Sequence, residues 1–205
     1  MDRMARCSAW LELLRSTGRV EVASEAARLG TTEMTIRRDL EALVAAGAAR
    51  RVRGGAVSLL LRADGPPLRL RQVAAIGAKR AVGQAAARLL SDGESVVLDS
   101  GTTALQVARC LAGRRALVMP MSLHAAHVLE PMEGVRLLMA GDEVRPGELS
   151  LVGPLATASL AAMRFDAAIV GCCGLADGQV TAYDLGDAEV KRGMRRDAGV
   201  ELVLP

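Results

Sequence analysis

The sequence has no apolar run long enough to cross a membrane. Its longest stretch without a charged residue, Leu149 to Met163, is interrupted by polar residues and a proline, whereas a spanning helix needs about 20 predominantly apolar residues. The first ten residues, MDRMARCSAW, carry charges but no uninterrupted apolar core after them. We therefore expect neither a secretory signal nor a transit peptide, and we predict a soluble, cytoplasmic protein.

Metal-binding and disulfide patterns are also missing. No CxxC spacing connects the four cysteines, which are Cys7, Cys110, Cys172 and Cys173, and two adjacent cysteines do not bridge easily. His124 and His127 are spaced to share one helix face, where two imidazoles could meet a metal, but no third ligand is near in the sequence. We expect reduced, mostly buried thiols, no metal and no cofactor.

Charge is present in both signs but is unevenly distributed. Residues 1–62 hold 11 arginines against 7 acidic residues, whereas residues 63–205 hold 15 basic against 16 acidic residues, for a net charge of +3 overall. The basic excess therefore lies in the N-terminal part, where a polyanion is expected to bind. A length of 205 residues allows two domains, each with its own core.

Three helices are predicted near the N-terminus, and a tight turn separates the short second helix from the third. A first helix, with Met4, Cys7, Leu11 and Leu14 at helical spacing, ends at Thr17-Gly18. After an extended piece, Val22, Ala26 and Leu29 repeat at i, i+4 and i+7, and Gly30 closes this short helix. Thr31-Thr32 then offers a hydroxyl N-cap to a third helix, whose buried stripe is Ile36, Leu40, Leu43 and Val44.

The start of the third helix carries the side chains expected to contact DNA. In a helix-turn-helix, residues near the N-terminal end of the second helix reach base edges in the major groove, and arginine binds guanine or phosphate. The predicted contacts are Thr32, Glu33, Thr35, Arg37 and Arg38.

A basic hairpin is predicted to follow. In ARRVRGGAVSLL, Arg51 and Arg53 fall on one face of a strand, and Gly54-Gly55 permits a turn. Such a wing lies against the DNA backbone, where arginines and bare glycine amides meet phosphates. The alternative is that these arginines only solvate the surface, with Arg37 pairing to Glu33 or Glu41.

The remainder alternates apolar runs with amphipathic helices. Residues 59–72 contain a Gly-Pro-Pro break without helical periodicity, so we place the N-terminal domain at residues 1–59, a linker at 60–74 and a second domain at 75–205. Alternating strands and helices predict an α/β domain with a mostly parallel sheet covered on both faces, and ligands then bind beyond the carboxyl ends of its strands.

Loops at that predicted edge supply the candidate ligand site. After the strand Ser95–Leu98 comes DSGTT, residues 99–103, opening a helix whose first amides could hold an anion. The segment is neither a Gly-Lys-Ser/Thr phosphate loop nor a GxGxxG dinucleotide loop. Other loops at this edge contain Ser122, Gly141, Gly171 and Gly174, although glycines in such loops often serve only tight turns. Lys191, on a later helix, is a further candidate ligand. The alternative is that Lys191 is a solvated lysine on the helix surface.

These motifs together resemble the DeoR family of bacterial transcriptional regulators. TIRRDL, the GGA-containing wing, DSGTT, the GPLA helix, DAAIVGCCG and a lysine-bearing helix occur in the order typical of that family. The resemblance implies a winged helix-turn-helix followed by a Rossmann-like effector domain similar to sugar-phosphate isomerases of the ribose-5-phosphate isomerase type.

The resemblance also assigns an effector site and a function. It implies that a phosphorylated sugar or related metabolite binds at Asp99, Ser100, Gly101, Thr102 and Thr103, with Lys191 nearby and with Ser122, Gly141, Gly171 and Gly174 in the surrounding loops. The expected function is an operator-binding repressor of carbohydrate genes, acting as a homo-oligomer, and not an enzyme.

Two departures from the family pattern leave alternatives open. The chain has Pro120-Met121-Ser122 where the family usually reads TNS, and it ends at VELVLP, where the family usually continues through further strands. A DNA-binding protein with a degenerate sensor, or a sugar-phosphate isomerase, are the other hypotheses. Against the isomerase hypothesis, the sequence after the strand ending at Val170 lacks the acidic cluster that the isomerases carry there.

Overall fold

The computed structural model describes residues 3–59, 65–176 and 179–204. The chain forms two compact units, Met1–Ala74 and Ala75–Pro205. In the described ranges no helix is both long and apolar enough to cross a membrane.

The N-terminal unit is a helix-turn-helix with a three-stranded antiparallel sheet. In chain order its elements are α1 (Arg3–Thr17), β1 (Arg19–Glu21), α2 (Val22–Leu29), α3 (Glu33–Ala45), β2 (Ala49–Val52), β3 (Gly55–Ser58) and α4 (Leu68–Val73). The strands lie in the order β1-β3-β2. Trp10, Leu14, Ile36 and Leu43 are fully buried in one core that joins α1, α3 and the sheet.

The local signals explain how the helices of this unit begin and end. Gly30 ends α2 in the left-handed conformation, at φ 59°, a conformation that costs glycine little. The Thr32 hydroxyl caps α3 by accepting a hydrogen bond from the Thr35 amide at 3.3 Å. One difference from the prediction is α4, since part of the expected linker is helical and Leu70 packs against the N-terminal core. Residues 60–64 of that linker lie outside the described ranges.

The C-terminal unit is built on a parallel sheet. Its elements are α5 (Ile76–Leu89), β4 (Ser95–Leu98), α6 (Thr102–Arg109), β5 (Ala116–Pro120), α7 (Leu123–Leu129), β6 (Val135–Leu137), β7 (Glu143–Val144), β8 (Leu151–Val152), α8 (Pro154–Ala161), β9 (Phe165–Gly171), β10 (Gly174–Ala176), β11 (Gln179–Thr181), α9 (Leu185–Arg196) and β12 (Ala198–Leu204). Five strands, all parallel, lie in the order β12-β9-β4-β5-β6.

Helices cover both faces of this sheet, as predicted. Val96 and Leu98 of β4 pack in one core with α5, α6 and α7, whereas Val97 packs in a second core with α8 and α9. The chain therefore runs outward from β4 through β5 to β6 on one side, and through β9 to β12 on the other. The predicted fold class, a winged helix-turn-helix followed by a Rossmann-like α/β domain, is confirmed.

Two antiparallel hairpins, β7-β8 and β10-β11, were not predicted. The prediction of mostly buried thiols was wrong, because only Cys7 is buried among the four free cysteines, while Cys173 is exposed. The described residues contain no group of three or more His, Cys, Asp or Glu side chains arranged to hold a metal.

Candidate DNA-binding surface and effector site

Helix α3 presents its N-terminal residues to solvent. Thr32 and Glu33 are exposed and Thr35 is half-buried, while Ile36 and Leu40 face the core. Because a hydroxyl cap fixes the helix start and an acidic residue follows it, the first turn is well defined. This face can therefore enter a groove without unfolding any part of the core.

The arginines near α3 divide into paired and unpaired ones. Arg37 bonds to Glu33 at 2.7 Å, and Arg51 of the wing bonds to Glu41 at 3.2 Å. The ion pair foreseen by the surface alternative thus exists, yet exposed pairs are worth only about 0–1 kcal/mol and exchange readily for phosphates. Arg38 is exposed, and no ion pair is recorded for it in the described part of the chain.

The wing turns one residue earlier than predicted. Arg53 and Gly54 form the turn, with Gly54 at φ 80°, and Gly55 already belongs to β3, opposite Val52 and Glu21. Gly55 is buried, and a Cβ there would lie 2.0 Å from the Val20 carbonyl oxygen. Its evident role is therefore the close packing of β3 on β1, while Arg53 and Gly54 occupy the exposed tip.

The candidate effector site lies where the strand order of the sheet reverses. Strands β4 and β9 are neighbours, and their chains leave in opposite directions across the sheet. The crevice at such a point is the usual ligand site of open α/β sheets. Asp99 follows β4 directly, and Gly171 is the last residue of β9, so both lie in this crevice.

Asp99 holds the crevice together. Its side chain is 3% exposed and forms an ion pair with Lys191 of α9, which is 11% exposed. The carboxylate also accepts hydrogen bonds from the Ser100 amide at 2.7 Å and the Gly171 amide at 2.8 Å. Four of the predicted residues are thus brought together by one carboxylate: Asp99, Ser100, Gly171 and Lys191.

The start of α6 borders the same loop. Gly101 precedes the helix with φ 99°, Thr102 is buried and Thr103 is half-buried. The first amides of a helix have no partner within it, and together with the helix dipole they favour an anion. Gly101 reaches a conformation that L side chains rarely adopt, which explains why glycine stands before this helix.

A second polar cluster, missed in the sequence, lies beside Lys191. Arg145 bonds to Asp187 at 2.7 Å and lies 3.6 Å from Asp184, while the Ser150 hydroxyl donates to Asp187 at 3.1 Å. Burial raises the pKa of Asp187, whereas the charges of Arg145 and Lys191 act in the opposite direction. The Asp-x-x-Asp spacing at the start of α9 is a helix-cap signal that could have pointed to Asp184, whose side chain accepts a hydrogen bond from the Asp187 amide.

Three other residues predicted for the effector site, Ser122, Gly141 and Gly174, lie in separate loops. Ser122 is buried at the start of α7, where its hydroxyl accepts from the His124 amide, and it forms a β-bridge with Ser150. Gly141 is exposed and precedes Asp142, whose carboxylate accepts from the Leu155 amide at the start of α8. Gly174 begins the β10-β11 hairpin and accepts from the Thr181 hydroxyl. No recorded contact brings these residues to Asp99 within the described ranges.

Comparison with known proteins identifies both units. The family profile described as the DeoR C terminal sensor domain matches residues 74–204, and that of the DeoR-like helix-turn-helix domain matches residues 6–60. The glycerol-3-phosphate regulon repressor of Haemophilus influenzae is 30% identical over 95% of this chain and 76% of that protein. The lactose phosphotransferase system repressor of Lactococcus lactis is 30% identical over 89% of this chain and 73% of that protein.

The matches differ in extent and strength. The chain spans 61% of the length of one of the curated relatives and 77% of another. Among solved structures, ribose 5-phosphate isomerase A of Methanocaldococcus jannaschii matches 62% of this chain and 51% of that chain, at 18% identity and a TM-score of 0.46. The two profiles together cover almost the whole sequence, and the chain therefore belongs to the DeoR family of DNA-binding transcriptional regulators and is not an enzyme.

Proposed function

We propose that this protein represses genes of carbohydrate metabolism by binding an operator through α3 and the wing, and that a phosphorylated sugar modulates this binding. The observation that carries the proposal is the exposed, capped start of α3 beside an arginine, Arg38, for which no ion pair is recorded in the described residues. Relatives named as repressors of a glycerol-3-phosphate regulon and of a lactose phosphotransferase system support it.

The proposed DNA contacts are those expected from the sequence. Helix α3 supplies Thr32, Glu33, Thr35, Arg37 and Arg38, and the wing supplies Arg51, Arg53 and Gly54. Of the expected contacts only Gly55 is left out, because it is buried in β3. Residues 1–59 then form the DNA-binding domain, with α4 from the expected linker at 60–74 packed against it, and residues 75–205 form the effector domain. We place the protein in the cytoplasm. We further propose that it acts as a homo-oligomer, because dimeric helix-turn-helix proteins bind operators with two-fold symmetry.

The contacts of Asp99 divide the proposed effector site into two parts. Its carboxylate already occupies the amides of Ser100 and Gly171, so those amides are not available to a phosphate. A carboxylate suits a sugar hydroxyl, which donates a hydrogen bond to it. The phosphate is better placed at the start of α6, near Gly101, Thr102 and Thr103.

Modulation requires that the effector prefer one state of the protein over another. A sugar hydroxyl that bonds to Asp99 competes with Lys191 for the carboxylate and so changes the contact between the β4 loop and α9. That change at α9 is the proposed first step of the response.

The test is selection of genomic fragments by the purified protein, with and without a panel of sugar phosphates. Expected results are enrichment of one or a few sites and a change in that enrichment with one sugar phosphate. Calorimetry with the same compound should show binding that Thr102→Val weakens. Absence of any enriched fragment would contradict the operator proposal, and binding that is indifferent to Thr102→Val would contradict the phosphate position.

A further inference from the structure

Asp39 is the one charged side chain buried in the described part of the N-terminal unit, at 1% exposure. It lies on α3, directly after Arg38, and it belongs to none of the proposed DNA contacts. Arg6 of α1 donates to both oxygens of its carboxylate, from Nε at 2.7 Å and from Nη2 at 3.3 Å. Since a buried carboxylate is costly unless it is paired, this contact is a requirement of the packed state.

The pair connects α3 to α1 in a directional way. The apolar stripe of Ile36, Leu40 and Leu43 supplies burial, but burial alone depends on area and not on orientation. A two-pronged contact between a guanidinium and a carboxylate fixes both distance and angle. The Cys7 thiol, 4.0 Å from the Asp39 carbonyl oxygen, adds a second contact between the same helices.

The pair also lies in the groove that the proposed DNA contacts border. This groove has a volume of about 510 Å³ and is lined by Arg6, Thr35, Arg38, Asp39, Glu41 and Ala42. Thr35 lies one turn before Asp39 on the same helix, and Arg38 adjoins it. Any rotation of α3 about its axis that relaxes the pair therefore moves both Thr35 and Arg38.

We propose that Asp39, through Arg6, is a positioning residue for DNA reading, which sets the rotation of α3 so that Thr35 and Arg38 meet the operator. The proposal rests on the operator-binding function proposed above. It concerns a residue that does not touch DNA itself, so its removal affects specific binding and leaves the general attraction to phosphates in place.

Two matched variants distinguish a positioning role of Asp39 from a simple effect of its negative charge on DNA affinity. Asp39→Asn and Glu41→Gln each remove one negative charge from α3, and Glu41 is exposed, in contact with Arg51. By charge alone, both variants bind any DNA more tightly. If Asp39 positions α3, the two variants change operator affinity in different directions. Glu41→Gln keeps or raises the affinity for the selected operator, whereas Asp39→Asn lowers it about tenfold, which is on the order of one lost base contact. Equal strengthening by both variants would overturn the proposal.

Arg6→Lys gives an independent test in case Asp39→Asn does not fold. Lysine keeps a charge opposite the buried carboxylate but cannot donate from two fixed positions. The expected result is weaker operator binding, unchanged binding to an unrelated duplex and an unchanged slope of affinity against salt. Equal losses on the operator and on the unrelated duplex would make Arg6 a phosphate contact instead. Wild-type protein that selects no operator would contradict the proposed function, and not this inference.

Discussion

The two units hold the charged side chains that are proposed to contact a ligand in different environments. In the N-terminal unit, the Arg37–Glu33 pair is exposed, with side-chain exposures of 47% and 49%. In the C-terminal unit, the Lys191–Asp99 pair has side-chain exposures of 11% and 3%. Water can replace either partner of the first pair, whereas loss of one partner of the second leaves a buried charge.

This difference suits the ligand that each unit is proposed to bind. A DNA backbone offers many phosphates, and exposed arginines can exchange a carboxylate for a phosphate at little cost. A small effector offers few groups, so its site must exclude water and hold its polar groups in place before binding. Breaking pairs of each type separately is the direct test of the contrast.

The largest effect is expected from Lys191→Met, which leaves the Asp99 carboxylate without its cation. Removing one partner of a buried pair costs about 3 to 5 kcal/mol, and we expect a loss of this size in the free energy of unfolding of the C-terminal unit. Urea unfolding followed by circular dichroism measures it.

Two controls accompany this variant. Adding Asp99→Asn should recover part of the loss, because the uncompensated charge is then gone. Trp10, the only tryptophan in the sequence, is buried in the N-terminal unit, so its fluorescence transition should stay at the wild-type urea concentration. A shift of that transition by the same amount would show that the two units do not unfold separately.

Operator affinity should depend more on Arg38 than on Arg37. Arg37 must first give up Glu33, whereas Arg38 has no recorded ion pair in the described ranges. Arg38→Ala should therefore cost about 1 to 3 kcal/mol of operator binding, if it contacts a base, and Arg37→Ala less. Mobility-shift titrations measure both, with Arg109→Ala, an exposed arginine of the C-terminal unit, as the control. A larger loss for Arg37→Ala would reverse the assignment.

The fold of both units could be predicted from local patterns. The Thr-Thr cap, the closing Gly30 and the apolar stripe of α3 are signals within a few residues of each other, and the structure has each of them. The parallel sheet follows from strands that alternate with helices. Its carboxyl edge then brings Asp99 and Gly171 together although 72 positions separate them, because topology supplies that proximity.

What could not be predicted depends on contacts that no periodicity encodes. Arg6 and Asp39 are 33 positions apart and join two helices whose relative rotation is a tertiary property. Arg145 reaches Asp187 from a hairpin whose strands have only two residues each, too short to show alternation. Helix α4 follows two prolines that marked a break in the chain, and it is only six residues long.

Asp197 gives an intermediate case, a buried carboxylate with exposed partners. Arg196 bonds to it at 2.7 Å and Arg164 at 2.9 Å, and both arginines are exposed. The Arg196 hydrogen bond chiefly, together with the charges of both arginines, holds the pKa of Asp197 below its ordinary value against the effect of burial.

Because the folded-state pKa is lowered, ionised Asp197 stabilises the fold above the unfolded-state pKa of about 4, and that stability is lost as pH falls through the folded-state pKa. Asp197→Asn should lose less stability than Lys191→Met at pH 7, since water can reach the released arginines. Its difference from the wild type should then shrink as the solution is acidified. A difference that is constant with pH would show that the charge of Asp197 contributes nothing.

The cap of α3 should have a smaller effect on the N-terminal unit. Thr32→Ala removes the hydroxyl, one of the two recorded acceptors of the Thr35 amide, and leaves the Thr32 carbonyl oxygen as the other. It should lower the free energy of unfolding by about 1 kcal/mol, as measured by Trp10 fluorescence in urea. Thr31→Ala is the matched control, because the recorded hydrogen bond of Thr31 is made by its backbone amide to the Ala26 carbonyl oxygen. Equal losses from the two variants would mean that the hydroxyl of Thr32 is not the cap.

The smallest effect is expected from Arg51→Gln, which breaks the exposed pair between the wing and Glu41. Its side chains are 53% and 55% exposed, so the cost in the free energy of unfolding should be about 0.2 to 1 kcal/mol at low salt. At about 1 M salt the screening length falls to about 3 Å, and the cost should vanish. The loss from Lys191→Met should persist at the same salt, because a buried pair is screened much less. If salt removed both losses equally, the crevice at Asp99 would be as open to solvent as the DNA-binding surface, and the contrast between the two units would fail.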